Sequence, residues 1–289
     1  MSIISQTDKN FKEMLEEALA GELVTNRTGT KTLSALGVQK RYDLRNGFPI
    51  VQAKQTFWKK AVAEMLWFMS GDCNNIAGLR EMGAESIWKP WQKNEEGDMG
   101  PIYGVQWRHW LGYSPSEEDY VAFDQLKEAE KAIKAGSDSR RIIVSAWQPT
   151  EISEMALPPC HVLFQFTVRS GGLYLHLYQR SCDLPIGGPF NVAQYSALLM
   201  MMAKVSGLEA REFIHTIHDA HIYEDQVPAV QQWIENATDL DSGNSMTEVK
   251  RPRMVIQDRG QESFEDFELS DFSMEDYNHM GKIKIPVAV

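Results

Sequence analysis

The amino-acid sequence predicts an α+β fold built on a largely antiparallel or mixed sheet. Apolar helical segments occur on both sides of a group of β-branched and aromatic runs, and the two kinds of segment do not alternate regularly. Regular βαβ alternation would instead indicate a doubly wound parallel sheet. The chain has 289 residues, of which 43% are hydrophobic and 24% are charged, so it is long enough to bury a large core.

Apolar spacing predicts four helices, and each of them is followed directly by a glycine, a residue that favours helix ends. Residues 8–20 carry apolar side chains at intervals of three and four. Residues 56–70 and 191–206 are apolar around much of their surface, which predicts two buried helices. Residues 121–135 read as an amphipathic helix that covers one side of the core.

Strands are predicted where β-branched and aromatic residues cluster. The predicted strands are 140–147, 161–168 and 173–180, and 219–225 reads as the end of another strand. The "SGG" at 170–172 predicts a hairpin turn between the second and third strands. Residues 236–248 are polar and predict a loop.

Charge and cysteine usage narrow the class of protein. The net charge of −11 argues against a general nucleic-acid or membrane surface, so an anionic ligand would need a local group of arginines. Cys73, Cys160 and Cys182 form no CxxC pair, which predicts cytosolic thiols and no metal site or disulfide framework. The N-terminus is polar, and no apolar run reaches about 18 residues, so we expect a cytoplasmic protein without a signal peptide or membrane span.

Cys160 is the first candidate for chemistry, within "MALPPCHVLFQF" at 155–166. If 161–168 is a strand, Cys160 and His161 point to opposite faces, so His161 is a poor direct base. A thiol without an adjacent base needs a nearby positive charge, and Arg180 on the predicted neighbouring strand supplies one. The alternative is a buried core thiol, and the residues alone leave both interpretations open.

Arginines in polar surroundings predict an anion site. Arg27 lies in a Thr/Gly segment, Arg140 and Arg141 precede a strand, and Arg180 is followed by Ser181. A guanidinium group matches phosphate with two hydrogen bonds, although most arginines are solvated surface charges. Adjacent strand residues face opposite ways, so Arg140 and Arg141 serve one phosphate only from a loop or across a subunit boundary.

Further polar and aromatic residues have two interpretations each. Asn191 opens a predicted helix and is either its N-cap or a reader of a pyrimidine edge, because an amide offers one donor and one acceptor. Glu64 lies inside an apolar helix, so it is either a structural partner or an acid/base with a shifted pKa. The tryptophan-rich stretches 86–91 and 100–110 are either core or walls for a flat ring.

Ordered motifs through most of the chain strongly resemble the thymidylate synthase family. They are "NRTGT" (26–30), "WFMSGD" (67–72), "GPIYGVQWR" (100–108), "DSRRIIVSAW" (138–147), "ALPPCH" (156–161), "QFTV" (165–168), "LYQRSCD" (177–183), "GPFNVAQYSALL" (188–199), "DAHIY" (219–223) and "PVAV" (286–289). The resemblance implies one catalytic domain over residues 1–289 and a homodimer that packs sheet against sheet. It also implies a methyltransferase that converts dUMP to dTMP, with 5,10-methylenetetrahydrofolate as donor of a one-carbon unit and a hydride and with no metal or nucleic acid.

The resemblance also implies roles for individual residues. Cys160 would add to uracil C6, Glu64 and Tyr103 would manage protons through water, and His161 would have a supporting polar role. Asn191 would read the uracil edge, and Asp183 would serve both catalysis and the folate. The phosphate would contact Arg27, Arg180 and Ser181, together with Arg140 and Arg141 of the partner subunit, and the ribose would contact His221 and Tyr223. The remaining folate-side positions are Lys54, Ile87, Trp88, Trp91, Leu157, Gly187, Phe190 and Ala288.

Several positions depart from the usual family pattern. They are Gln55, Pro185, Gly188, Ile217, His218, Asp225 and Gln226. A sister activity lets water trap the C5 methylene intermediate and yields a 5-hydroxymethyl nucleotide. Asn191 favours uracil over cytosine in either case, whereas Trp88 and Leu157 favour methylation. A non-catalytic nucleotide or RNA binder is a third hypothesis, opposed by the acidic charge and by the retained cysteine, arginines and asparagine.

Overall fold

The computed structural model describes residues 4–25, 29–244 and 249–287. The helices are α1 Gln6–Leu19, α2 Trp58–Ser70, α3 Ala77–Glu81, α4 Tyr103–Arg108, α5 Gln125–Lys134, α6 Gly187–Val205 and α7 Val227–Ser242. The strands are β1 Glu22–Val24, β2 Thr32–Asp43, β3 Trp110–Ser114, β4 Asp119–Phe123, β5 Ile143–Ser145, β6 His161–Arg169, β7 Gly172–Asp183, β8 Glu209–Tyr223, β9 Arg253–Ile256 and β10 Phe272–Glu275.

A six-stranded mixed sheet organises the fold. Its strand order is β1-β2-β8-β7-β6-β5, and two smaller sheets pair β3 with β4 and β9 with β10. Within the large sheet β7 and β8 are parallel and the other neighbours are antiparallel. Helices α1 and α6 pack on the sheet, and α2 packs against α6. The predicted α+β class with a mixed sheet is therefore confirmed.

The predicted hairpin between β6 and β7 is also confirmed. Arg169 pairs with Gly172, so Ser170 and Gly171 form a two-residue loop. Both have positive φ, 48° and 73°, which is the pattern of a type I′ turn. This turn matches the twist of the two strands and fixes their register, and Arg180 on β7 is thereby aligned with the residues that precede β6.

Two helices begin four residues away from the predicted start, whereas the ends of the other two predicted helices lie within two residues of prediction. The helix predicted at 121–135 begins only at Gln125, because Asp124 caps it by accepting a hydrogen bond from the Lys127 N–H (2.8 Å), while residues 121–123 belong to β4. The helix predicted at 191–206 begins at Gly187. Asn191 therefore lies inside α6 and is not its N-cap, so that interpretation is wrong.

One strand is shorter than the sequence pattern predicts, and one helix extends into a segment that is predicted to be a loop. The strand predicted at 140–147 is limited to Ile143–Ser145. The loop predicted at 236–248 is wrong for 236–242, which complete α7, and residues 245–248 lie outside the described part of the chain. Helix α7 is held by tertiary contacts, such as the stacking of Trp233 on Phe11 of α1 (5.4 Å between ring centroids).

Among the described residues, one face of the large sheet keeps partly exposed side chains. Cross-strand partners share a face, and these side chains are partly exposed in rows across the sheet: Ile143, Leu163, Gln165, Thr167, Tyr174, His176, Tyr178, Ile214 and Thr216. Ile143 is 45% exposed and Tyr178 is 36% exposed. We call these nine residues the open sheet face. Over the described residues, no helix is both long and apolar enough to cross a bilayer.

Candidate active site

Cys160 lies immediately before β6 and is half-buried. Its backbone N–H donates to the Tyr103 hydroxyl (2.9 Å), and its carbonyl accepts from the backbone N–H of Arg180 (2.9 Å). The Arg180 side chain donates to the carbonyls of Pro159 (2.9 Å) and Pro158 (2.8 Å). The strand pairing thus holds a guanidinium group against the loop that carries the thiol.

A β-bulge turns His161 toward the core. His161 pairs with Gln179, whereas Leu163 pairs with Tyr178, so Val162 is the extra residue between the two pairs. The His161 ring lies 5.2 Å from the ring of Tyr103 and 5.2 Å from that of Tyr195. Burial lowers the pKa of His161 to about 4, so this imidazole is neutral near pH 7 and packs beneath the site as a polar core residue.

Glu64 is buried in α2 with two hydrogen-bond donors. The Trp88 indole N–H donates to one carboxylate oxygen and the Gln194 amide donates to the other. Burial raises the pKa of Glu64 to about 7, although both hydrogen bonds act to lower it. A carboxyl group with this pKa exchanges a proton near neutral pH, which is the property required of a general acid or base.

Replacing Glu64 with Gln should make the free energy of unfolding less dependent on pH. The folded-state pKa lies above the ordinary value of 4.5, so the contribution of Glu64 is complete below pH 4.5 and is lost as pH rises through about 7. The shift corresponds to on the order of 3 kcal/mol. Denaturant unfolding from below pH 4.5 to above pH 7 should show the wild type losing stability relative to Glu64→Gln.

Glu130 provides a control whose effect on stability changes with pH in the opposite direction. Burial acts to raise its pKa, but the Phe264 N–H and Lys127 lower it below the ordinary value. Glu130→Gln should therefore remove a contribution that the wild type loses as pH falls. If the wild type and Glu64→Gln have parallel pH profiles, Glu64 does not have the raised pKa.

Asn191 is buried and joined to its neighbours by side-chain hydrogen bonds. Its Oδ1 accepts from Gln179 Nε2 (3.0 Å), and its Nδ2 donates to Gln194 Oε1 (3.2 Å). The Cys182 thiol makes a longer sulfur contact to the same Oδ1 (3.8 Å). Gln194 in turn donates to Glu64, so Asn191 and Glu64 belong to one network.

A second polar cluster surrounds Asp183 at the end of β7. Gln226 is fully buried, and its amide donates both to Asp183 Oδ2 (3.1 Å) and to the carbonyl of Pro286 near the C-terminus (3.0 Å). Its Oε1 accepts from the backbone N–H of Tyr223 (3.1 Å). Burial raises the pKa of Asp183. Gln226 thus ties the chain end, Asp183 and the Tyr223 segment together.

Two further predicted residues border this cluster. The His221 ring lies 5.3 Å from that of Tyr223, and its Nδ1 is 3.4 Å from Asp219 Oδ1. Lys54 is buried with its Nζ 4.8 Å from the Trp233 ring centroid. Burial lowers the pKa of Lys54 to about 8, and the charge of Asp183 acts against this decrease.

Aromatic side chains form a wall beside Glu64. Trp88 lies edge-on to Trp91 (6.1 Å) and to Tyr103 (5.9 Å), and Trp88 is buried whereas Trp91 is partly exposed. Ile87 and Leu157 are half-buried and pack on the core. Gly187 and Phe190 lie in the first turn of α6. The tryptophan-rich stretch therefore contributes both core and a partly exposed ring.

No side-chain hydrogen bond to this network is found for the remaining predicted residues that the structure describes, although the Ser181 carbonyl accepts from Gln179 (3.0 Å). Arg140 and Arg141 are exposed, and within the described ranges neither guanidinium group forms an ion pair. Ser181 is half-buried on β7, opposite Asp219. Arg27 and Ala288 lie outside the described residues.

Sequence reasoning missed the two glutamines that hold Asn191. Gln194 lies three residues after Asn191, so the helical period places the two side chains side by side, and this signal was present in the sequence. Gln179 lies in an apolar strand run, where a buried amide indicates a partner. Gln226 was noticed only as a departure from the family pattern.

Comparison with known families assigns the chain. The family model described as thymidylate synthase matches residues 9–289, nearly the entire sequence. This family acts on dUMP by a methylation or hydroxymethylation that uses a folate co-substrate. Because the match extends over almost the whole chain, this protein belongs to the thymidylate synthase family.

Proposed function

We propose that this protein is a thymidylate synthase, which converts dUMP to dTMP by reductive methylation with 5,10-methylenetetrahydrofolate. The observation that carries the proposal is the position of Cys160, between the Tyr103 hydroxyl and Arg180, next to the network that joins Asn191 to Glu64. This arrangement supports the roles that we assign to the Cys160 thiol as nucleophile, to the Asn191 amide as reader of the base and to the Glu64 carboxyl as acid or base.

Cys160 would add to C6 of the uracil ring as a thiolate. The electron pair of the C5–C6 bond then moves toward C5 and O4, so that C5 becomes a nucleophilic carbon. Arg180, held over the Pro158–Pro159 carbonyls, supplies positive charge that favours the thiolate. Glu64 and Tyr103 would move protons through water at O4 and C5, because Tyr103 interacts with both Cys160 and Glu64 and the pKa of Glu64 is near neutrality.

The nucleotide phosphate would be held by arginines. Arg180 and Ser181 lie on β7 beside Cys160, and we assign Arg27 to the same phosphate from its motif. His221 and Tyr223 would bind the ribose hydroxyl, because they lie at the end of β8, which pairs with β7 in the sheet. Arg140 and Arg141 are exposed and are available to a second subunit.

The residues fit a folate. A pterin is flat and bears polar edges, which suits a site that offers the partly exposed Trp91 ring and the half-buried carboxyl group of Asp183. Trp88, Trp91, Ile87 and Leu157 would supply the apolar contacts and Asp183 the polar one, with Lys54, Gly187, Phe190 and Ala288 nearby by resemblance. When bound, the folate supplies the one-carbon unit and the hydride, and the residues of this chain orient it and exclude water.

Hydroxymethylation of dUMP is the second candidate, motivated by the departures near the folate side. Two of those departures, Gly188 and Ile217, face the protein core. A side chain at Gly188 would point at Phe11 of α1, whose Cε1 lies 3.0 Å from the Cβ position. Ile217 is buried in the sheet and His218 is exposed. These placements support methylation over hydroxymethylation.

Product analysis tests the reaction. Two substitutions of Trp88 test whether its aromatic ring keeps water from the methylene intermediate. We expect dTMP and dihydrofolate from the wild type, detected by mass spectrometry and by the absorbance of dihydrofolate. Trp88→Leu should raise the 5-hydroxymethyl fraction, because water reaches the methylene intermediate. Trp88→Phe keeps an aromatic wall but loses the N–H bond to Glu64, so it should slow turnover without changing the product ratio. A wild type that consumes the folate without forming dihydrofolate and adds a hydroxymethyl group would establish the second candidate.

We also propose that the open sheet face packs against a second copy of this chain. Five of its nine residues are apolar or aromatic, namely Ile143, Leu163, Tyr174, Tyr178 and Ile214, and Ile143 and Tyr178 keep 45% and 36% of their surface accessible. The face borders the exposed Arg140 and Arg141, which precede β5. Packing two such faces together would bring these arginines to the partner subunit's phosphate site.

A further inference from the structure

An uninterrupted series of side-chain hydrogen bonds runs through α6 from the sheet to Glu64. His215 Nε2 bonds to Gln179 Oε1 (2.7 Å), and Gln179 Nε2 donates to Asn191 Oδ1 (3.0 Å). Asn191 Nδ2 donates to Gln194 Oε1 (3.2 Å), and Gln194 Nε2 donates to Glu64. Gln194 is fully buried and has both ends of its amide occupied.

The direction of this series is set by the Glu64 carboxylate. An ionised carboxylate only accepts hydrogen bonds, so Gln194 has to present its NH₂ group there. Its oxygen then faces Asn191 and requires the Asn191 NH₂ group, which leaves the Asn191 oxygen toward Gln179. Gln179 independently keeps its NH₂ group on this side, because it also donates to the Ser181 carbonyl (3.0 Å).

We infer that Gln194 is a specificity-positioning residue that couples the amide orientation of Asn191, and hence the choice of uracil over cytosine, to the charge of Glu64. The inference rests on the proposed function, in which Asn191 reads the pyrimidine edge. In the observed orientation Asn191 retains one N–H and can still accept at Oδ1, apart from the long sulfur contact to Cys182. That pattern matches the O4 acceptor and N3–H donor of uracil.

Cytosine requires the opposite orientation, since it offers an amino donor and an N3 acceptor. Turning the Asn191 amide would place its oxygen against Gln194 Oε1 and its NH₂ group against that of Gln179. Gln194 could respond only by turning its own oxygen toward Glu64, where two acceptors would meet. Buried polar groups without partners are strongly disfavoured, so the network selects uracil.

The first experiment compares Gln194→Met with Gln106→Met, a matched loss of a buried glutamine that bonds to Pro101 and Glu151 outside the network. The measured quantity is the ratio of dissociation constants for dCMP and dUMP, from tryptophan fluorescence without folate. Gln194→Met should lower the ratio about tenfold, the effect of one buried hydrogen bond. Gln106→Met should keep the wild-type ratio. An unchanged ratio in folded Gln194→Met, or an equal decrease in both variants, would overturn the inference.

The second experiment can overturn the inference with the wild type alone, and Gln194→Met is added where it folds. Burial raises the pKa of Glu64 to about 7, and a protonated Glu64 can donate to a turned Gln194. The wild-type ratio should therefore decrease as pH falls through about 7, and Gln194→Met should abolish this pH dependence. The other titratable groups against the network are Tyr103 and Tyr195 beside Glu64, His161 beside Asn191 and His215 beside Gln179. Burial raises the pKa values of the two tyrosines and lowers those of His161 and His215 to about 4 and about 3, so all four stay neutral near pH 7.

Gln194→Glu distinguishes the contact of the Gln194 oxygen with Asn191 from the contact of its NH₂ group with Glu64. Its carboxylate still accepts from Asn191, so the ratio should stay within about threefold of the wild type. The other oxygen of the new carboxylate faces Glu64, and the two carboxyl groups share a proton. This sharing raises the pKa of the pair, so the change in the ratio should occur at higher pH. A wild-type ratio that does not change with pH would contradict the coupling, whether or not the variants fold.

The same measurements separate this inference from the proposed function. If the wild type neither binds dUMP nor releases tritium from dUMP labelled at C5, the proposed function fails. If the wild type does both but the ratio responds neither to pH nor to Gln194→Met, the inference fails and the proposed function is not affected.

Discussion

Cys160→Ser should bind dUMP but lose turnover on the order of 10⁴-fold or more, the range seen when an enzyme loses its nucleophile. A serine hydroxyl without an adjacent base is a far weaker nucleophile than a thiolate. His161 is not such a base, because its ring is directed to the core and burial lowers its pKa to about 4. Tritium release from dUMP labelled at C5 measures turnover, and calorimetry measures binding.

Cys73→Ser is the matched control for this experiment. The Cys73 thiol is buried, donates to the Ile102 carbonyl (3.1 Å) and accepts from the Gly104 N–H (3.0 Å), and a hydroxyl can keep both bonds. This variant should stay active. Turnover of Cys160→Ser within about tenfold of the wild type would exclude Cys160 as the nucleophile. A wild type that binds dUMP but releases no tritium would favour the non-catalytic binder.

Mixing two inactive variants should restore activity if Arg140 and Arg141 act across a dimer interface. One subunit carries Arg140→Ala and Arg141→Ala, and the other carries Cys160→Ser. In a mixed dimer, the site with the intact cysteine receives intact arginines from its partner. Random exchange should yield roughly one quarter of wild-type activity, because half of the dimers are mixed and each has one complete site.

The control mixture contains no complete site. A subunit with all three substitutions is mixed with the Arg140→Ala/Arg141→Ala subunit, so every intact cysteine faces altered arginines. Native mass spectrometry of differently tagged subunits establishes that mixed dimers form. If they form and the first mixture stays as inactive as the control, the arginines do not act in trans.

Local signals in the sequence were sufficient for several elements. The spacing of Phe11, Met14, Leu15 and Ala18 predicted α1, and all four side chains are buried. Ser170 and Gly171 predicted the β6–β7 turn because only a few residues tolerate the positive φ that it requires. These features depend on residues within one or two turns of each other, so they can be predicted without knowledge of the fold.

Strand β2 and helix α7 were missed because the spacing of their apolar residues does not indicate the correct secondary structure without knowledge of what packs against them. The buried residues of β2 are Thr32, Ala35, Val38 and Tyr42, and this spacing resembles that of a helix. In α7 the buried stripe is narrow, and polar residues at 236–242 read as a loop. Both elements are defined by distant partners, β8 for the strand and α1 for the helix.

The sequence by itself determined the family and the residues that bring reactive or charged groups, including Cys160, Arg180, Asn191 and Glu64. Only the tertiary structure decided how those groups are oriented. Asn191 lies inside α6 and not at its start, a bulge at Val162 directs His161 to the core, and Gln194 reaches a carboxylate 130 positions away in the chain. The physical reason is that hydrogen-bond direction depends on which donors and acceptors meet in space, and residues so far apart in sequence meet only when the chain is folded.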